Sequence, residues 1–161
     1  MNKAGHCPIG RLHLRVQSRH GVVAERRARN IVLRQGAAII AGLFSGTGGV
    51  TAINRIRVGF STDSGSPELT ALTPPADATI PAAALESPVV AADFRVSADG
   101  SDSVRVSVSS VFAPSVELRD VTEAGLLAGD KLYNQVVFEP VTLRPGQDVT
   151  FFWEIDFPFG H

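Results

Sequence analysis

The stretch that decides the fold reads Val149-Thr150-Phe151-Phe152-Trp153-Glu154-Ile155-Asp156-Phe157. Large apolar residues alternate with polar ones along most of it, which is typical of a β-strand with one face on a core. The side chains that share the core face are Val149, Phe151, Trp153, Ile155 and Phe157. Full burial of each stabilises a fold by ~2 kcal/mol. We therefore expect a central strand that contributes strongly to stability.

Shorter runs of the same kind occur through most of the chain. Residues 11–17 alternate strictly, and His20-Gly21 provides a turn before a returning strand that begins at 22–24. Residues 94–96 and 104–108 predict a hairpin with its turn at 98–101. Further strands are expected at 53–60, 116–118 and 132–138, with a break at 113–114 and turns at 121–127 and 144–147.

One segment has helical rather than alternating periodicity. Asn30 is a good N-cap residue, and residues 31–44 carry apolar side chains at helical spacings over a broad stripe. Such a stripe is typical of a largely buried helix. The glycine-rich residues 45–49 then predict its end.

Together these elements predict a mostly β protein. Seven to eight short antiparallel strands with one early helix favour a jelly-roll-like sandwich of two sheets that contains one buried α-helix in the N-terminal half. With 161 residues the chain has the usual length of a single domain, which we assign to 1–161. No repeat of 20–50 residues is apparent.

Composition excludes several protein classes. The chain is 44% hydrophobic and 19% charged, which is ordinary for a globular protein. Cys7 is the only cysteine, so we expect neither an internal disulfide nor a cysteine-based zinc site, and a reducing compartment fits best. The longest apolar run, residues 37–44, is far shorter than the ~20 residues of a membrane span, and the N-terminus lacks the apolar run of a secretory signal.

The net charge of −1 conceals an uneven distribution. Residues 1–57 contain ten basic residues and one acidic residue, whereas residues 58–161 contain five basic and fifteen acidic residues. The two halves either intermix in the fold and neutralise each other, or form a dipolar subunit whose basic surface meets the acidic surface of a neighbour. A nucleic-acid partner is not predicted, since the basic residues form no dense patch.

Residues 61–88 differ in texture from the rest of the chain. Prolines at five positions stand among small residues, and we expect a proline- and alanine-rich arm or long loop there. Proline loses less entropy on ordering than glycine does, which suits an arm to embracing a neighbour. The candidate assembly contacts are therefore Arg26, Arg27 and Arg29 in the basic part of the chain and Pro67, Pro74, Pro75 and Pro81 in this segment.

The search for a catalytic or metal site finds only weak candidates. Glu154 and Asp156 share one strand face and could act as an acid–base pair, although a solvated face is the simpler interpretation. Asp99 and Asp102 could contact calcium, but an exposed turn uses aspartate for its own backbone. Neither the four histidines nor the Gly-rich residues 45–49 form a recognisable ligand or phosphate motif, and Cys7 has no adjacent base. We predict no catalytic residue, no metal and no cofactor.

Five segments in order carry a family resemblance: 30–46 (NIVLRQGAAIIAGLFSG), 53–60 (INRIRVGF), 123–127 (EAGLL), 138–141 (FEPV) and 149–155 (VTFFWEI). This order resembles small structural proteins of tailed bacteriophages and phage-like particles. In that group a helix with a small-residue face leads into an I-x-V-G strand, and an E-A-G-L turn precedes aromatic closing strands.

The resemblance implies a virion component, made in the bacterial host cytoplasm. It would lie in the tail, neck or baseplate region and assemble with other virion proteins and with itself, as a ring or an adaptor. We also predict no enzymatic activity, no membrane and no small-molecule substrate.

Two other functions remain open from the residues. The first is a lectin-like, receptor-binding β-sandwich, which would need an exposed aromatic platform drawn from Phe60, Tyr133, Phe152 and Phe159. The second is a hydrolase that uses Glu154 or Asp156. Glycan arrays would test the first, and alanine variants of the two carboxylates would test the second.

Overall fold

A computed structural model of the protein describes residues 8–63, 65–98 and 102–159. Within these residues the strands are β1 (Ile9–Ser18), β2 (Gly21–Val32), β3 (Arg55–Gly59), β4 (Glu86–Pro88), β5 (Phe94–Ser97), β6 (Ser103–Phe112), β7 (Leu118–Ala128), β8 (Lys131–Leu132), β9 (Asn134–Leu143) and β10 (Asp148–Pro158). One α-helix, α1 (Arg34–Ser45), and two short 3-10 helices, Ala82–Leu85 and Ala91–Asp93, complete the elements. The prediction of a mostly β protein with one α-helix is confirmed.

All strands belong to one antiparallel sheet, in the order β4-β3-β7-β9-β2-β1-β10-β6-β5, with β8 paired to β7. The sheet curls into a half-barrel, so the predicted sandwich of two separate sheets is not confirmed. The strands form one curled sheet because β2 pairs with two strands. It pairs with β1 along most of its length and with β9 at Asn30, Ile31 and Val32. The curl brings β4 to β6, where Ser110 Oγ lies 3.5 Å from Pro88 O.

The strand predicted at residues 149–157 is confirmed as central. β10 lies between β1 and β6, and Leu12 of β1 pairs in register with Trp153. The Phe151 and Trp153 side chains are fully buried and stack at a centroid distance of 6.0 Å. Since one core cluster contains residues from β1, β6, β7, β9 and β10, the concave side of the sheet forms the main core.

The helix begins later and is less buried than the sequence predicts. Asn30 is not its N-cap, because β2 continues through Val32 and the N-cap residue is Leu33. Only Gly36 and Ile39 of α1 are buried, whereas the side chain of Phe44 is 94% exposed. Pairing of β2 with β9 thus takes precedence over the helical pattern of its last residues, and the buried helix of the prediction is corrected to one that rests on the sheet by a narrow face.

Strand β7 replaces a predicted turn at residues 121–127. Ala124 and Leu126 face the main core, and Leu127 packs on the opposite side in a second cluster with Leu33, Leu72 and Leu132. A strand buried on both faces has no alternating pattern. Gly125 is required there, since a Cβ at this position would lie 2.6 Å from Asn134 O and from Leu132 Cδ1.

The predicted hairpins and turns are largely confirmed. β1 and β2 form a hairpin around Arg19 and His20, and β2 begins at Gly21, next to the predicted start at 22–24, and continues to Val32. β5 and β6 form the second hairpin, and most of its predicted turn lies outside the described residues. Gln147 N donates to Arg144 O at 3.2 Å in the last turn.

Candidate assembly surfaces

The three predicted arginine contacts of β2 lie on two different faces. In a strand successive side chains alternate, so Arg27 and Arg29 share the convex, outer face and Arg26 faces the other way. Arg26 Nε donates to Glu139 O at 2.9 Å, and its Nη2 donates to Pro140 O at 2.7 Å. Hydrogen-bonded pairing of β2 with β9 ends at Asn30, and Arg26 bridges the two strands beyond that point. Its role is therefore structural, whereas Arg27 and Arg29 remain on the surface.

Ion pairs across neighbouring strands cover much of the outer face of β2, β1, β10 and β6. Arg11 on β1 contacts Asp156 on β10 at 2.7 Å. Arg105 on β6 contacts the same carboxylate at 2.7 Å and Glu154 at 3.1 Å. Arg15 on β1 lies 3.8 Å from Glu25 on β2. Of these pairs, Arg11–Asp156 joins the basic residues 1–57 to the acidic residues 58–161, and the others neutralise charges within one part of the chain.

The two carboxylates proposed for acid–base chemistry belong to this network. The hydrogen bonds from Arg105, together with the nearby charges of Arg105 and Arg11, hold the pKa of Asp156 below its usual range. The carboxyl of Asp156 is therefore ionised at neutral pH and poorly suited to donate a proton. The structure places Glu154 beside the same guanidinium, so both carboxylates serve as ion-pair partners of Arg105.

A groove lies on this outer face beside the ion pairs. It has a volume of about 400 Å³, and its polar or aromatic lining side chains are Arg11, His13, Arg27, Arg29, Phe152 and Glu154. His13 and Phe152 pair in register across β1 and β10. Phe152 is 36% exposed, while His13 Nε2 lies 3.7 Å from Glu25 Oε1. Within the described residues the guanidinium groups of Arg27 and Arg29 have no hydrogen-bond or ion-pair partner.

The first part of the proline-rich segment is fastened to the outer side of β7. The Glu123 carboxylate is fully buried and accepts hydrogen bonds from Ser61 N at 3.2 Å and Thr73 N at 2.5 Å. Gln135 Nε2 donates to the same carboxylate at 2.6 Å, and Gln135 Oε1 accepts from Gly65 N at 2.7 Å. Residues 61–63 and 65–73 therefore lie against the sheet, anchored by polar groups of β7 and β9.

The four candidate prolines have different surroundings. Pro67 is exposed, and its carbonyl accepts a hydrogen bond from Arg34 N at 2.8 Å where α1 begins. Pro75 is half-buried and lines a cleft of about 630 Å³ with Phe60 and acidic side chains. Pro74 and Pro81 are exposed. These prolines thus lie along the surface of the proline-rich segment rather than in one cluster.

Sequence reasoning missed the outer surface of the helix. From Gly36 to Phe44 no residue of α1 is polar, and this suggested burial. The structure instead exposes Ala37, Ala38, Ala41, Leu43 and Phe44. The same lack of polar residues was the available signal, because an apolar helix that does not reach the core presents an apolar surface to solvent.

The other predicted features have the following positions. Of the four aromatic residues considered for a glycan platform, Tyr133 is buried, Phe60 is half-buried against the core, and Phe152 and Phe159 are partly exposed.

His6, Cys7, Asp99 and His161 lie outside the described residues. Among residues 8–63, 65–98 and 102–159, no three metal-ligating side chains converge. No helix in this part of the chain is long and apolar enough to span a membrane.

The chain matches no protein-family model, no curated protein and no solved structure. The resemblance to phage structural proteins therefore remains a prediction from the five sequence segments. Two surfaces bear on function: the groove in which Arg27 and Arg29 have no partner among the described residues, and the exposed apolar face of α1.

Proposed function

We propose that this protein is a non-enzymatic structural component of a tailed phage or phage-like particle and that it assembles through protein–protein contacts, in the tail, neck or baseplate region. The exposed apolar face of α1 carries the proposal of assembly. The assignment to a phage or phage-like particle rests on the resemblance of the five sequence segments. Other virion proteins and further copies of the chain are the proposed partners.

Phe44 is the main feature of that face. Its side chain is 94% exposed, and the neighbouring Leu43 is 47% exposed. Large aromatic side chains that remain in solvent on a fixed element are typical centres of protein interfaces. The helix is fixed because Gly36 lies directly on the backbone of Tyr133, so a partner would meet a preformed surface.

The proposal extends to the finer description of the fold. We propose that the two halves of the curled sheet face each other as the layers of a jelly-roll-like sandwich. In support, Leu14 of β1, Ala124 of β7 and Leu143 of β9 belong to the same core cluster.

The variant Phe44→Ser tests the assembly role. Because the side chain is exposed, we expect the free energy of unfolding to change by less than about 0.5 kcal/mol. We expect the unaltered chain to form discrete oligomers in sedimentation velocity and to co-purify with particles, and we expect the variant to lose both properties. Val96→Ser is the matched control, since Val96 is 71% exposed on β5. A chain that stays monomeric and never co-purifies with particles, or a Phe44→Ser variant that assembles normally, would contradict the proposal.

A further inference from the structure

Ion pairs form a regular pattern on the outer face of the sheet, and two arginines of β2 lie outside this pattern. The ion pairs described above join arginines of β1 and β6 to carboxylates on the adjacent strands β2 and β10. Arg27 and Arg29 lie on the same face but have no partner in the described part of the chain. Their neighbours in register on β1 are His13 and Arg11, neither of which offers a carboxylate.

The missing partners have a simple structural cause. Pairing of β2 with β9 ends at Asn30, so no residue of β9 is in register with Arg27 or Arg29. Both side chains project toward the groove that also exposes Phe152. Counting only residues 8–63, 65–98 and 102–159, the charges of the face are therefore balanced except at this groove, where two guanidinium groups remain available to an external anion.

We infer that this groove binds an extended acidic segment of a partner protein, whose carboxylates at alternate positions pair with Arg27 and Arg29. Alternate residues of an extended chain are ~6.5–7 Å apart, which is also the spacing of Arg27 and Arg29 along β2. Guanidinium groups bind carboxylates through two parallel hydrogen bonds, so both charge and geometry are complementary. The inference deepens the proposed function, on which it rests, by naming the chemistry of one contact.

A second copy of the chain is a poorer occupant if it presents this same surface. Two such faces would bring Arg27 and Arg29 of one copy toward the arginines of the other, and like charges repel. A partner segment with several carboxylates removes this conflict. It also provides hydrogen-bond acceptors, which arginine side chains lack.

The experiment uses the full chain and two synthetic nine-residue peptides, followed by NMR titration. In the first peptide glutamate alternates with threonine (ETETETETE), and in the second the same residues are ordered so that no two glutamates are two positions apart (EETTEETTE). We expect the alternating peptide to bind more tightly and to shift the resonances of Arg27, Arg29 and Phe152. Added salt should weaken this binding, since the contacts are ionic and partly exposed.

The double variant Arg27→Glu/Arg29→Glu should bind the alternating peptide about tenfold or more weakly. It should instead bind a peptide in which lysine replaces glutamate. The control Arg34→Glu/Lys131→Glu makes the same change in net charge at exposed positions away from the groove, and we expect its affinity to stay within about twofold of the unaltered chain.

Several results would overturn the inference. Equal binding of the two double variants, or shifts that avoid Arg27 and Arg29, would exclude the groove as the site. Binding of a sulfated oligosaccharide but of neither peptide would make the ligand a glycan. Self-association of the chain through this face would make the occupant a second copy. Each of these results is measured independently of the Phe44→Ser test, so a failure of the groove inference is distinguishable from a failure of the proposed function.

Discussion

Glu123 is a fully buried carboxylate without a basic partner among the described residues. Two backbone N–H groups and the Gln135 amide satisfy it instead. Gly59 provides the necessary space, because a Cβ at that position would lie 2.4 Å from Glu123 Oε1. A glutamate in a sequence usually indicates a surface position. Its role could not be predicted, since the donors Ser61 and Thr73 are remote in the chain and meet it only in the fold.

Replacing Glu123 by alanine should release the first part of the proline-rich segment from the sheet. The change leaves buried N–H groups without acceptors, and we expect the free energy of unfolding to fall by about 2–3 kcal/mol. The amides of Ser61 and Thr73 should exchange with solvent faster, as hydrogen exchange followed by NMR would measure. Glu139→Ala is the control, because Glu139 is an exposed glutamate on β9. Unchanged exchange at both amides would show that Glu123 does not hold the segment.

The elements differ in how well their sequence predicts them. β1, β6 and β10 have one buried face, so their alternating pattern is readable. β7 is covered on both sides, by the core and by residues of the proline-rich segment, and its uniformly buried residues resemble a turn with apolar anchors. The start of α1 could not be predicted, because the pairing of β2 with β9 is a contact between remote parts of the chain.

Gly36 provides a test of the packing of α1 in which two effects have opposite signs. Helix propensity alone predicts that Gly36→Ala stabilises the protein by about 1 kcal/mol. The added Cβ, however, would lie 2.0 Å from Tyr133 O, so the helix would have to move. We expect net destabilisation of about 1–3 kcal/mol in urea unfolding. Ala38→Gly, on the exposed face, should cost about 1 kcal/mol through propensity alone. A stabilised Gly36→Ala variant would show that α1 does not approach the backbone of Tyr133 this closely.

At the scale of the whole molecule, one curled sheet provides most residues of the main core. The sequence predicts its class, its antiparallel strands and the arginines of β2, because these depend on local patterns. It does not predict the strand order or the sharing of β2 between β1 and β9, since hydrogen bonds between remote strands leave no local pattern. The groove was missed for the same reason: Arg27, His13 and Phe152 come from three strands that only the topology brings together.

A single sheet with a shared core should unfold in one step. Trp153 is the only tryptophan and is fully buried on β10. We expect its fluorescence and the far-UV circular dichroism to report the same urea midpoint. A second probe, Phe138→Trp in a Trp153→Phe background, reports from β9, where Phe138 is 8% exposed, and its fluorescence is compared with the circular dichroism of the same variant. Transitions that separate by more than experimental error would instead indicate that the two regions of the sheet unfold independently.

The pairing of β1 with β10 has a consequence for synthesis of the protein. Leu12 meets its partner Trp153 only after about 140 further residues have been made. At ~5–20 residues per second this takes about 7–30 s. During that interval the β1–β2 hairpin emerges with the apolar side chains of Leu12, Leu14 and Val16 uncovered. We therefore expect the nascent chain to need protection by chaperones until β10 has been made.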